Sequence, residues 1–294
     1  MIRFIRVCIA AGALLLLFSC KTAPQKSFAP FLLMDSKTGI YFLLPARNHE
    51  EVSLLAAKRF FSDAGEKELK QIISHISAVY GGFMGRNSQF VITGSFPRVA
   101  IKSAFAQKNG WREISSDIAG VKTIYYRHDS ANIEVYDGIP NSLLISADVS
   151  PMIERFLTGA ADYAGEVEAG RGVGVPVWLE MPAGASGNRN NDIRFYITRV
   201  SALLEKVSAL KLPSDGAFAT ASAEGWLSKA GSAEADYFLS LDIDLKDRRA
   251  VMPAVLLLSL SGAFAGAEIT QGQGARVEIK NFPVPQSMIA DLLL

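Results

Sequence analysis

Ile40-Tyr-Phe-Leu-Leu-Pro45-Ala46 and Val177-Trp-Leu-Glu-Met-Pro182-Ala183 carry the reading of the fold. Each is a short apolar run closed by Pro-Ala. Runs of this length, rich in β-branched and aromatic residues and stopped by proline, are expected to be strands. The two stand 137 residues apart. Two further landmarks recur in the same order. Phe90-Val-Ile-Thr-Gly-Ser-Phe96 matches Phe238-Leu-Ser-Leu-Asp-Ile-Asp244 at an offset of 148, and Met152-Ile-Glu-Arg-Phe-Leu157 matches Met288-Ile-Ala-Asp-Leu-Leu293 at 136. Common order at similar spacing points to a duplicated unit. The larger middle offset implies an insertion of about eleven residues in the second copy, with Gly216 to Trp226 as the candidate. The alternative is the ordinary likeness of any two apolar strands or amphipathic helices.

Local signals fill in the two copies. In the first, Leu69, Ile72, Ile73, Ile76 and Val79 fall on one face, which predicts a helix over Glu66 to Tyr80 ended by Gly81-Gly82. Gln89 to Phe96 reads as a strand and Arg98 to Lys108 as a helix. Thr123 to Arg127 and Asn132 to Tyr136 read as a hairpin, Leu143 to Ala147 as a strand, and Pro151 to Leu157 as a helix capped by Ser150. In the second, Val177 to Met181 is expected to be a strand, and Ile197, Val200, Leu203, Leu204, Val207 and Leu210 the stripe of a long helix. Tyr237 to Leu245 follows as a strand and Arg248 to Phe264 as a helix. Glu268 to Ile279 reads as a hairpin around Gly272-Gln273-Gly274, and Gln286 to Leu293 as the last helix.

The expected class is therefore α+β: two similar lobes from an internal duplication, each a mostly antiparallel sheet covered by helices. The boundaries are 31–158 for the first lobe, 159–174 for a Gly- and acid-rich linker, and 175–294 for the second.

The start of the chain sets the compartment. Arg3 and Arg6 precede an uncharged run from Val7 to Leu17, the length of an export signal and too short for a permanent membrane span. The run ends in Leu17-Phe18-Ser19-Cys20. This resembles the bacterial lipobox in its relaxed, spirochaete-type form, with Phe18 bulkier than the usual occupant. The resemblance implies that 1–19 is a lipoprotein signal peptide. It also implies that Cys20 becomes the first mature residue, carrying a diacylglycerol group and an N-acyl chain such as palmitate. Residues 20–30 then form a tether, whose polar Lys21 to Pro30 reaches at most about 35 Å if extended. An ordinary secretory signal and a retained transmembrane anchor are the other readings. The expected location is the cell envelope, lipid-anchored to the inner or outer membrane and facing periplasm or exterior.

Cys8 and Cys20 are the two cysteines. With Cys8 removed and Cys20 alkylated, the mature chain has no thiol nucleophile and no thiolate for a metal. Thirty basic residues stand against 29 acidic ones, and losing Arg3 and Arg6 leaves the mature side chains at −1. Near-neutrality without basic clustering argues against nucleic acid as a partner.

No chemistry-bearing motif survives inspection. His49, His75 and His128 show no metal-ligand spacing. Asp242, Asp244 and Asp247 lack the glycine and distant glutamate of a calcium loop, so a solvated strand face is expected. Gly170-Arg-Gly172-Val-Gly174 precedes a strand rather than a helix, unlike a phosphate loop, and Ser186 lies outside any nucleophile elbow. No metal, no catalytic residue and no cofactor beyond the acyl groups on Cys20 are expected.

The unusual stretch is Ala250 to Ala267, eighteen residues without a charge. Leu256, Leu257, Leu260 and Phe264 mark it as an apolar surface for lipid, another apolar ligand or a second protein. The alternative is a helix buried on both sides, for instance between the lobes. The expected function is that of a non-enzymatic, lipid-anchored envelope protein binding a lipid, apolar ligand or envelope partner. A structural or assembly scaffold is the alternative, and an envelope hydrolase is a third.

Overall fold

The computed structural model describes residues 28–35, 38–60, 66–84, 87–128, 130–159, 176–179, 191–198, 200–201, 218, 221–230, 236–260, 262, 264–286 and 288–289. The signal, Cys20, most of the tether, the 159–174 linker beyond Gly159, and Ser186 lie outside them.

Strand β1 (Ile40–Leu44) sits at the middle of the sheet. It pairs with β2 (Ile76–Met84) on one side and with β8 (Ile193–Ile197) on the other. Outward from β2 come β3 (Asn87–Gly94), β7 (Ser142–Ser146), β6 (Ile133–Tyr136), β5 (Val121–His128) and β4 (Trp111–Ile118). Outward from β8 come β9 (Ser222–Lys229), β10 (Tyr237–Asp244), β12 (Arg276–Val284) and β11 (Glu268–Gln271). Every neighbouring pair is antiparallel. The α-helices with described bounds are α1 (Glu50–Phe60), α2 (Glu66–Ser74), α3 (Arg98–Ala104), α4 (Ser150–Thr158) and α5 (Val251–Leu260).

One cross-strand row explains the centre. Gly81, Phe42, Phe195 and Gly225 stand side by side on β2, β1, β8 and β9. A Cβ on Gly81 would lie 1.9 Å from the Phe42 ring, and one on Gly225 would lie 2.2 Å from the Phe195 ring. Each aromatic ring lies over the glycine of its outer neighbour, so the central strands need both a large and an absent side chain.

Alternation along the strands divides the core between two faces. On one face Leu43, Tyr80, Val91 and Leu144 pack under the 3-10 turns Pro30–Leu33 and Val177–Leu179 and under Met152 and Ile153 of α4. On the other, Phe42, Leu44, Phe90 and Tyr237 pack with Val52 of α1, Ile101 of α3 covers Trp111, Val135 and Leu143, and α5 covers Leu241, Ile243, Val277 and Ile279.

The mixed helix and antiparallel-sheet class stands, but two separate sheets do not. The β1–β8 ladder joins both halves into one sheet, twelve-stranded among the described residues. Several expected elements also change. The helix over Glu66 to Tyr80 ends at Ser74, and Ile76–Met84 is a strand, because Gly81 is needed under Phe42 and Tyr80 enters the core. Val177–Leu179 is a 3-10 turn rather than a strand, with Trp178 edge-on to Phe31. Ile197 belongs to β8, not to a helix. Residues 200–201 are helical, and the rest of that expected helix lies outside the described residues. The supposed insertion Gly216 to Trp226 supplies much of β9, whose Ala223 and Leu227 are buried. Trp111–Ile118, unread as a strand, is one edge of the sheet among the described residues, with β11 at the other. Phe28, Ala29 and Pro30, assigned to the tether, are part of the folded body: Ala29 and Pro30 are buried and Phe28 packs against Phe156. Ser150 does not cap α4. The side chain of Asp148 accepts from the Ser150 N–H at 3.0 Å, and buried Glu134 accepts from the Val149 N–H at 2.9 Å.

Candidate functional site

The charge-free stretch becomes helix α5, shorter than the Arg248 to Phe264 that periodicity suggested. Asp247 Oδ1 accepts from the Arg249 N–H at 2.9 Å, which caps a 3-10 turn, Arg248–Ala250, leading into the helix. Pro253 falls in the first turn of α5, where a missing N–H is tolerated. The chain leaves the helix through Gly262 at φ +65, a conformation that favours glycine.

One side of α5 is core: Val251, Ala254 and Leu258 are buried against β10 and β12. The other side is apolar and in solvent, with Met252 54%, Leu256 56%, Leu257 41% and Leu260 83% exposed. Leu256, Leu257 and Leu260 are thus brought together on an outward surface. Phe264 is not. It is buried, 5.3 Å from the Phe282 ring, and belongs to the core beneath. A helix apolar all round is ordinarily enclosed; this one is enclosed on one side. No described helix is long and apolar enough to cross a membrane.

The polar groups hold structure. His49 is buried. Its Nε2–H donates to the Asn191 carbonyl, which can only accept, so neutral Nδ1 accepts from the Tyr237 hydroxyl at 2.8 Å. Burial, more than any neighbouring charge, holds the His49 pKa below its ordinary 6.5, and burial raises the Tyr237 phenol to about 12. With the Asn48 side chain donating to Asn191, this cluster joins α1 and the loop before it to the β8–β10 side of the sheet. Nothing in the sequence marked it, because a lone histidine carries no sign of its burial.

His128 packs on Trp111 and meets Ser130, away from any His49 partner. Asp242 and Asp244 share one face as alternation required, but Arg276 holds both, with Nε 2.7 Å from Asp244. Burial raises the Asp242 pKa, and Arg276 opposes the shift. Asp247 caps the turn before α5. An open cleft of about 340 Å³ at the end of β4 is lined by Ser116, Asp117, Asp148, Ser150 and Glu154, and no histidine, lysine or arginine is among its described lining residues. Among the described residues no group of His, Cys, Asp and Glu is arranged to hold a metal ion.

A wide antiparallel sheet bearing an outward apolar helix, in a chain headed by a lipobox-like segment, defines the class as an envelope lipoprotein with an α+β body. The sequence profile of one family, the outer membrane-associated lipoprotein TP0453, matches residues 25–290, and the chain belongs to that family. Crystal form I of TP0453 shares the fold with a TM-score of 0.61 at 19% identity, over 91% of this chain and 97% of that one. Crystal form III gives 0.59 at 18% identity, over 89% and 96%. No curated protein matches the chain.

Proposed function

We propose that this lipoprotein is non-enzymatic, is held to its membrane by acyl groups on Cys20, and seats the outer face of α5 in the apolar layer of a lipid surface. The observation that carries the reading is the outward cluster Met252, Leu256, Leu257 and Leu260 within eighteen uncharged residues. A lipid anchor keeps a membrane within reach of the body at all times. An exposed apolar face is stable there and unstable in water. The acyl groups are the only cofactors proposed, and the polar clusters described above support a body without catalysis.

Two measurements test the reading. Cys20→Ser should move the protein out of the carbonate-washed membrane fraction; retention there would overturn the anchor. Leu256→Gln with Leu260→Gln should lower crosslinking of α5 to a photoactivatable lipid while the anchor stays in place. Undiminished lipid crosslinking would overturn the seat. Crosslinking to a protein instead would favour the scaffold reading.

The finer description of the fold, an internal duplication, is also ours. It is supported by the order of elements read outward from the centre. The order β1-β2-β3 followed by α3 has its counterpart in β8-β9-β10 followed by α5, and each half has an aromatic ring over a glycine. On this view β8, rather than Val177 to Met181, is the counterpart of β1. Superposition of 40–104 on 193–260 that failed to align these ladders would overturn it.

A further inference from the structure

We infer that Lys246, Arg248 and Arg249, the basic step leading into α5, select anionic lipid headgroups for the helix. The inference rests on the reading of α5 as a lipid-seated helix.

All three residues are exposed, and among the described residues none is held in an ion pair. The acid between them, Asp247, accepts from the Arg249 backbone, and Asp244 behind them is held by Arg276. Lys246 to Arg249 therefore carries three positive charges against one negative, directly ahead of the uncharged Ala250 to Ala267. Position matters as much as charge. Arg249 lies in the 3-10 turn three residues ahead of Met252, and both are exposed, so its charge stands at the N-terminal end of the outward stripe. Long basic side chains at the end of an apolar stripe can keep their heads at the headgroup level while the stripe sits deeper. The mature chain as a whole is close to neutral, and Lys246 to Arg249 is a local exception to its spread of basic residues, so attraction to an anionic surface has to come from such a step. On α3, Arg98 and Lys102 stand beside Val99 alone as an exposed large apolar side chain, so charge there has no stripe to serve.

The test uses full-length acylated protein carrying Leu260→Cys, labelled with nitrobenzoxadiazole and reconstituted into vesicles. One set is phosphatidylcholine alone, and the other contains phosphatidylglycerol as well. The acyl anchor holds the protein in both, so the probe reports the helix and not recruitment. The expected result is a blue shift that is larger with phosphatidylglycerol and falls with added salt. Arg248→Gln with Arg249→Gln should lower the seated-to-free ratio about 25-fold, about fivefold for each basic residue at an anionic surface. Arg248→Lys with Arg249→Lys should retain the effect. An equal blue shift in both vesicle types overturns headgroup selection and leaves the lipid seat standing. A shift in neither overturns the lipid seat and this inference with it. A phosphatidylglycerol-dependent shift that survives the double glutamine variant overturns the assignment to these arginines.

Discussion

Helices α3 and α5 stand at the same step of the chain, each following the second strand out from the central pair, and they treat solvent differently. On the inner side they agree. Ile101 packs over β4, β6 and β7, while Val251, Ala254 and Leu258 pack over β10 and β12. On the outer side α3 shows Arg98, Lys102 and Ser103 with Val99, whereas α5 shows Met252, Leu256, Leu257 and Leu260. The inner faces answer to the sheet. The outer face of α5 answers to nothing within the described fold, so its composition reports what the protein meets outside itself.

The largest expected effect tests the inner faces. Leu258→Ala should cost about 3 kcal/mol, and Ile101→Ala about as much. In a urea titration both should move the midpoint. An unmoved midpoint for Leu258→Ala would mean that α5 merely rests on the sheet, and the comparison would break.

Next come the charge clusters of the two halves. Glu134 is buried, is held by Arg127 and accepts from the Val149 N–H just ahead of α4. Glu134→Gln should lower stability by about 2 kcal/mol, which for a chain of this size moves thermal melting by several degrees. Arg276, 39% exposed beside Asp244, should matter less, at about 1 kcal/mol or below for Arg276→Gln. Equal losses by calorimetry would show that the C-terminal cluster is as enclosed as the N-terminal one.

The seam between halves is the third. The folded state lowers the His49 pKa below its ordinary 6.5, so the unfolded chain takes up the proton first. Stability from the neutral ring is therefore present above pH 6.5 and lost as pH falls from there toward the folded value. His49→Gln should flatten that part of the stability profile. Tyr237→Phe should cost about 1 kcal/mol at neutral pH through the lost hydroxyl bond. Melting at a series of pH values checks both, and a wild-type profile with no fall below pH 6.5 would remove His49 from the seam's energetics.

The smallest effect on stability sharpens the contrast most. Leu260→Gln should change melting by no more than about 0.5 kcal/mol, and Val99→Gln on α3 likewise. Of the two, Leu260→Gln alone should weaken lipid crosslinking. A large melting loss for Leu260→Gln would mean that its outward face is covered in the folded protein.

By itself the sequence determined what depends on neighbours along the chain. The β3 and β10 strands, the hairpin around Gly272 to Gly274 and the uncharged run from Ala250 were all legible, because alternation, turn residues and charge content are local properties. Tertiary structure decided the rest. Only the pairing of β1 with β8 makes one sheet from two halves, and no local pattern announces which edges will meet. Gly81-Gly82 looks like a helix stop until Phe42 is laid across Gly81. Phe264 and Leu260 are alike as apolar residues of one run. One is buried against Phe282 and the other faces solvent, because burial depends on the distant strand that reaches each residue.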